Sequence, residues 1–166
     1  MLVPSAYMQA MSAFVAQNIG AKKPDRAKRA LAYGIASSVA AGLIMAYISF
    51  FHGNLLAGLF SRDGAVIAAS ADYLRAYAID CIFTACSFCF AGYFNGCGKT
   101  VFVMLQGLAG AFAVRIPVSY LMSRIPGISL FGIGLAVPAS TLLQIVLCVA
   151  YLLYMESERR KSLAVS

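Results

Sequence analysis

Charge is missing from most of this chain, and it is missing in long runs. Met1–Ala21, Ala30–Ser61, Cys81–Gly98, Thr100–Val114 and Ile125–Met155 contain no Asp, Glu, Lys or Arg. A helix needs about 20 mostly apolar residues to cross a bilayer, and runs of this length without alternation of polar and apolar residues do not read as barrel strands. Composition agrees: of 166 residues, 61% are hydrophobic and only 11% are charged, against about 25% charged in soluble domains. A soluble enzyme, a disordered tail and a disulfide-stapled module are excluded.

The expected fold class is all-α, a polytopic membrane helical bundle. Four full spans are predicted at about 30–51, 73–95, 101–122 and 132–155, with a shorter, partial N-terminal helix at 4–19. Gly20, Pro24, Gly96, Gly98, Pro126 and Gly132 mark short turns. Ser61-Arg-Asp-Gly64 reads as a turn and N-cap, followed by a short interfacial helix over about 65–72. Nothing basic precedes the first apolar run, so no signal peptide is expected.

The charges that remain are placed unevenly. Lys22, Lys23, Arg26, Lys28, Arg29, Lys99, Arg159, Arg160 and Lys161 fall on one side of the predicted topology, and Arg62, Arg75 and Arg124 on the other. That bias sets the first side, with the C-terminus, in the cytoplasm. The net charge of +7 is then a matter of orientation and anionic lipid, and no nucleic-acid partner is expected.

Enzyme and metal motifs fail on inspection. Cys86 and Cys89 have the spacing of half a zinc site, but no second Cys/His pair completes it. Gly98-Lys99-Thr100 resembles the end of a phosphate-binding loop, yet position 93 is Tyr where that loop needs Gly. His52, the single histidine, has no triad partners and is expected to cap a helix. No enzyme, metal or cofactor is expected.

Ionisable groups inside spans carry the information, because they are costly in lipid and face a bundle interior. Asp80 and Arg115 both lie roughly 10 Å below the outer boundary at about 1.5 Å per residue. They sit level on neighbouring antiparallel helices and are expected to meet. Tyr77, Thr84 and Ser87 fall at i−3, i+4 and i+7 from Asp80 and form a polar stripe. Asp80, Thr84, Tyr77, Ser87 and Arg115 are the candidate residues of a cation or substrate pathway; the alternative is a structural ion pair pinning two helices, with the stripe hydrogen-bonding across a helix interface. Pro117 and Pro138 are expected to kink their helices.

Three local patterns resemble one family. Ala16-Gln-Asn-Ile-Gly-Ala-Lys-Lys-Pro-Asp-Arg-Ala-Lys-Arg29 is similar to the loop after the eighth helix of multidrug and toxic compound extrusion (MATE) transporters. Gly92-Tyr-Phe-Asn-Gly-Cys-Gly-Lys-Thr100 resembles the end of their tenth helix. Arg115-Ile-Pro117, with Gly127, Gly132, Gly134 and Pro138, resembles the passage from helix eleven into helix twelve. The resemblance implies the C-terminal lobe of a twelve-helix, cation-coupled antiporter in the inner (plasma) membrane. It implies amphipathic cationic drugs as substrates, Na⁺ or H⁺ as coupling ion, and an N-terminal lobe as partner, without which the chain would be inactive. It also places the acidic cation-site residue that some members have on the tenth helix at Thr84, one turn from Asp80. Two alternatives stand beside it: a lipid-linked sugar flippase of the same superfamily, and a non-transporting membrane protein that docks through the small residues from Ala36 to Gly42.

Overall fold

The computed structural model describes residues 2–52, 64–124 and 134–165. It is an all-α bundle in which four helices are long and apolar enough to cross a membrane. Helix α1 is Leu2–Gly20 and α2 is Pro24–Phe51. Helix α3 is Gly64–Gly96, so the helix expected over 65–72 and the span after it form one continuous rod. The next span, α4, is Thr100–Ser123; it is α-helical over Thr100–Ala109, π-helical over Gly110–Arg115, and α-helical again over Ile116–Ser123. Helix α5 is Ala136–Val165. The turn expected at 61–64 and the Gly/Pro turn at 125–132 fall outside the described residues, apart from Gly64.

Helix α3 is the centre of the bundle. It packs on α1 and α2 at one side and on α4 and α5 at the other, while among the described residues α4 touches only α3 and α5. Small residues permit the close contacts. A Cβ at Gly92 would lie 2.5 Å from the Met8 carbonyl oxygen, and one at Gly96 would lie 2.7 Å from that of Ser12. Backbone-to-backbone approach of this kind is how membrane helices associate when lipid provides no hydrophobic drive. The buried stripe of α2 obeys the same logic: Ala27, Leu31, Gly34, Ser38, Gly42 and Ser49 recur at helical spacing. Ser38 Oγ lies 3.3 Å from the Ala85 carbonyl oxygen and 3.1 Å from that of Ile35, and Gly42 lies against Cys81 and Ala85. The small-residue face from Ala36 to Gly42 is thus used inside the chain at Ser38 and Gly42. The opposite side of α2, with Tyr33, Ile44, Tyr47 and Phe51, is exposed.

Both turns at one end of the bundle close in the same way. The Lys23 N–H bonds the Asn18 carbonyl and the Lys22 N–H bonds that of Ile19. Lys99 and Gly98 repeat the pattern onto Phe94 and Asn95. This C-terminal motif needs a left-handed residue. Gly98 supplies it at φ 75°, as does Lys22 at φ 56°. The sequence points to Gly20 as the breaker, but Gly20 is the last residue of α1. At the same end Arg159 pairs with Asp25 at 3.0 Å, and Lys28 pairs with Glu156. Residues 25–28 and 156–159 therefore share one end, as the charge pattern requires. These pairs lie at the water-exposed surface, where ion pairs add little to stability. Glu156→Gln should accordingly shift the thermal midpoint in detergent by less than about 4 °C; a larger fall would show that the pair holds the helix ends together.

Aromatic packing locks the inner part of that end. Phe102 stacks on Tyr151 with ring centroids 4.0 Å apart, and Phe94, fully buried, meets both at 5.1 and 5.4 Å. At the far end of α2, His52 closes the helix through its backbone N–H to Ile48 at 2.9 Å.

Candidate functional site

Pro117 shapes the region where α3, α4 and α5 meet. It has no N–H to give and its ring crowds the carbonyl four residues back. The backbone answers by widening just before it: the Ile116 N–H bonds the Ala111 carbonyl, five residues back. Such π-turns gather at functional sites. Gly110 opens this turn and is buried against Gln144 of α5, whose side chain occupies the place a Cβ would take. Its carbonyl accepts the Ser140 hydroxyl at 2.8 Å.

Asp80 lies beside this turn and is 1% exposed. The Thr84 hydroxyl donates to its Oδ2 at 2.8 Å and the Thr141 hydroxyl to its Oδ1 at 2.7 Å. Thr141 Oγ1 is also 3.1 Å from the Val137 carbonyl, but one proton serves one strong bond, and the nearer carboxylate is the better acceptor. Ser87, one turn further along, donates to Gln144 Oε1 at 3.4 Å. The stripe on α3 is therefore met by a matching stripe on α5: Ser140, Thr141 and Gln144. Among the described residues no Lys or Arg lies within ion-pair distance of Asp80. Two neutral hydroxyls satisfy lone pairs without balancing a charge, and an unbalanced buried charge is costly. The arrangement is suited to receive a proton or a small cation.

Arg115 is not the partner expected of it. It is exposed, in the π-turn of α4, and forms no ion pair with Asp80. Equal depth does not give equal azimuth, and the wide turn changes the rotation per residue. The face that carries Gln106 and Gly110 toward α5 has moved on by residue 115.

A pocket of about 340 Å³ lies on the adjoining face of α3, against α1 and α2. Its walls include Val3, Tyr7, Gly42, Met45, Tyr77 and Cys81, and Thr84 borders both the pocket and the carboxylate. The lining is mainly apolar, with two tyrosine rings. All five cysteines are free thiols. At the α3–α4 turn, burial pushes the Cys97 thiol up, while the Tyr93 hydrogen bond and the Lys99 charge pull it back. With burial the largest of these effects, Cys97 is a packed thiol rather than a nucleophile.

The MatE family model matches residues 1–121. The chain belongs to the MatE family. Multidrug and toxin extrusion protein 2 of Homo sapiens is 26% identical over 137 residues, covering 82% of this chain and 23% of that protein. The protein of the same name in Pongo abelii is also 26% identical, covering 82% of this chain and 24% of its own length. Protein DETOXIFICATION 20 of Arabidopsis thaliana is 23% identical over 133 residues, covering 80% of this chain and 27% of that protein. The chain thus spans about a quarter of the length of these curated relatives. No solved structure matches it.

Within this MatE chain, sequence reasoning named Asp80, Thr84, Tyr77 and Ser87, and the structure puts them on one stretch of α3. It missed Thr141, Ser140, Gln144 and Gln106. Their only signal is polarity inside an apolar run, which a hydroxyl bonded to its own helix would give equally. Thr141→Val removes a hydrogen bond to a buried charged acceptor, which is worth about 1.5–3 kcal/mol. That loss should appear in denaturant unfolding of the wild-type chain and fall to the roughly 0.5–1.5 kcal/mol of a neutral hydrogen bond in the Asp80→Asn background, a double-mutant coupling of about 1 kcal/mol.

Proposed function

We propose that this chain is the C-terminal lobe of a cation-coupled drug efflux transporter, with Asp80 as the group that takes up and releases the coupling ion, Na⁺ or H⁺. The observation that carries the reading is a carboxylate 1% exposed within a candidate span, held by two hydroxyls and no cation among the described residues. Names of relatives such as Multidrug and toxin extrusion protein 2 and DETOXIFICATION 20 support the efflux reading. The substrates it fits are amphipathic cations: the pocket offers apolar walls for a ring system and tyrosine faces for a positive charge. Thr84, shared by pocket and carboxylate, ties drug occupancy to the state of Asp80. The exposed apolar faces of α2, α4 and α5 are surfaces for lipid and for an N-terminal lobe. The basic end, with the C-terminus, faces the cytoplasm and the protein is multi-pass in the plasma membrane, in keeping with the distribution of Lys and Arg.

The test is efflux of a fluorescent cationic dye from cells lacking their own pumps, with this chain expressed together with an N-terminal lobe. Dye extrusion that collapses when the cation gradient is dissipated is the expected result. Gradient-independent extrusion, or none with any partner lobe, would remove the proposal.

A further inference from the structure

The polar contacts do not stop at Asp80. They continue along the α3–α4–α5 seam as Thr141 and Ser140, then the Gly110 carbonyl, then Gln144 with Ser87, toward Gln106. Gln106 is 6% exposed and its Oε1 has no hydrogen-bond partner among the described residues. Because among the described residues α4 packs only on α3 and α5, a buried side chain of α4 points into that seam. A buried carbonyl oxygen left unpaired costs about 1–3 kcal/mol, and buried polar groups without a protein partner are usually met by internal water. The stacked rings of Phe102 and Tyr151 lie one to two turns beyond, between Gln106 and the basic end.

We propose that this seam is a hydrated conduit, holding internal water from Asp80 to Gln106 and delivering the coupling cation to the carboxylate. The delivery role rests on Asp80 being the coupling site; the water does not. Drug and ion then use adjoining faces of α3, the pocket on the α1–α2 side and the conduit on the α4–α5 side, meeting at Thr84. The Phe102–Tyr151 stack closes the conduit toward the basic end. Among the described residues the groups that hydrogen-bond Asp80 are hydroxyls: Thr84 on its own helix and Thr141 on α5. The nearest titratable side chains along its helix are Tyr77 and Cys81.

Hydroxyl-radical footprinting of the whole chain in lipid nanodiscs tests this, because radicals formed from internal water oxidise side chains that bulk water does not reach. Cys148 and Cys89 are both 0% exposed. Cys148 lies one turn beyond Gln144 on the seam side of α5, whereas Cys89 lies on the far face of α3, bonded to Ser38. Cys148 should be oxidised about fivefold or more faster than Cys89, and Gln106→Leu with Gln144→Leu should bring the two rates together. Gln106→Met, close in shape, gives the same comparison where the double variant folds poorly. Equal rates in the wild type, or a Cys148 rate unmoved by the substitutions, would overturn the conduit. Loss of gradient coupling in Asp80→Asn with equal cysteine rates would sink the conduit alone. A wet seam with coupling intact in Asp80→Asn would sink the Asp80 assignment instead.

Discussion

A Gly96→Leu chain should fail to dock α1 on α3. The Cβ alone would lie 2.7 Å from the Ser12 carbonyl oxygen and 2.7 Å from Val15 Cβ. Backbone cannot swing aside as a flexible side chain can, so α1 must move away. Overpacking of this kind costs about 1–3 kcal/mol per methylene-scale insertion, and leucine adds several such groups. Separation of α1 would also expose Met11 and Val15, which are buried against α3. The expected fall in thermal midpoint is about 6–12 °C for a loss near 3 kcal/mol at this length. Gly92→Leu should act alike, since it faces Met8 and Met11 one turn away. Gly107→Ala is the contrast: nothing lies within 4 Å of its Cβ position. In mid-helix it should stabilise by roughly 0.5–1 kcal/mol. A wild-type midpoint for Gly96→Leu would show that α1 is not held by this contact.

That contact also marks where the sequence stops being readable. The all-α membrane bundle is dictated by uncharged runs alone, because helices are the simplest way to place an uncharged run such as Ala30–Phe51 away from water at this chain length. The shared location of residues 25–28 and 156–159 is dictated by the sign of their charges. The face carrying Tyr77, Asp80, Thr84 and Ser87 comes from helical arithmetic, which needs no neighbour. The partner of that face is a different matter. Thr141 and Arg115 were both polar groups on other helices, and the arithmetic of depth favoured the arginine. The azimuth of α4 depends on a π-turn forced by Pro117, and no local count reveals how far such a turn rotates the residues after it. The pocket was hidden for a simpler reason: its walls are the same Met, Cys, Ala and Tyr as the lipid-facing surface. Gly92 and Gly96 stood out as members of a family-like turn, but their packing role appears only with Met8 and Ser12 against them.

Asp80→Asn has the second large effect, and it should be functional rather than structural. Asparagine keeps the shape, and its amide can accept from one threonine while donating to the other, since hydroxyls rotate to suit. The fold should therefore hold within about 1 kcal/mol. On the proposed assignment, the charge that would bind a proton or Na⁺ is gone, and with it the proposed link between the ion and the pocket through Thr84. Thr84→Val should weaken that link while leaving the carboxylate in place, so its signature is drug movement less tightly tied to the gradient.

The most direct measurement is dye accumulation in proteoliposomes holding this chain assembled with an N-terminal lobe, driven in turn by a Na⁺ gradient and by a pH gradient. The wild type is expected to accumulate a cationic dye against its own gradient with one of the two ions. Asp80→Asn is expected to fall to the level of protein-free vesicles under both, while keeping the wild-type thermal midpoint. Gradient-driven accumulation by Asp80→Asn at the wild-type rate would contradict the assignment of this buried carboxylate as the coupling site.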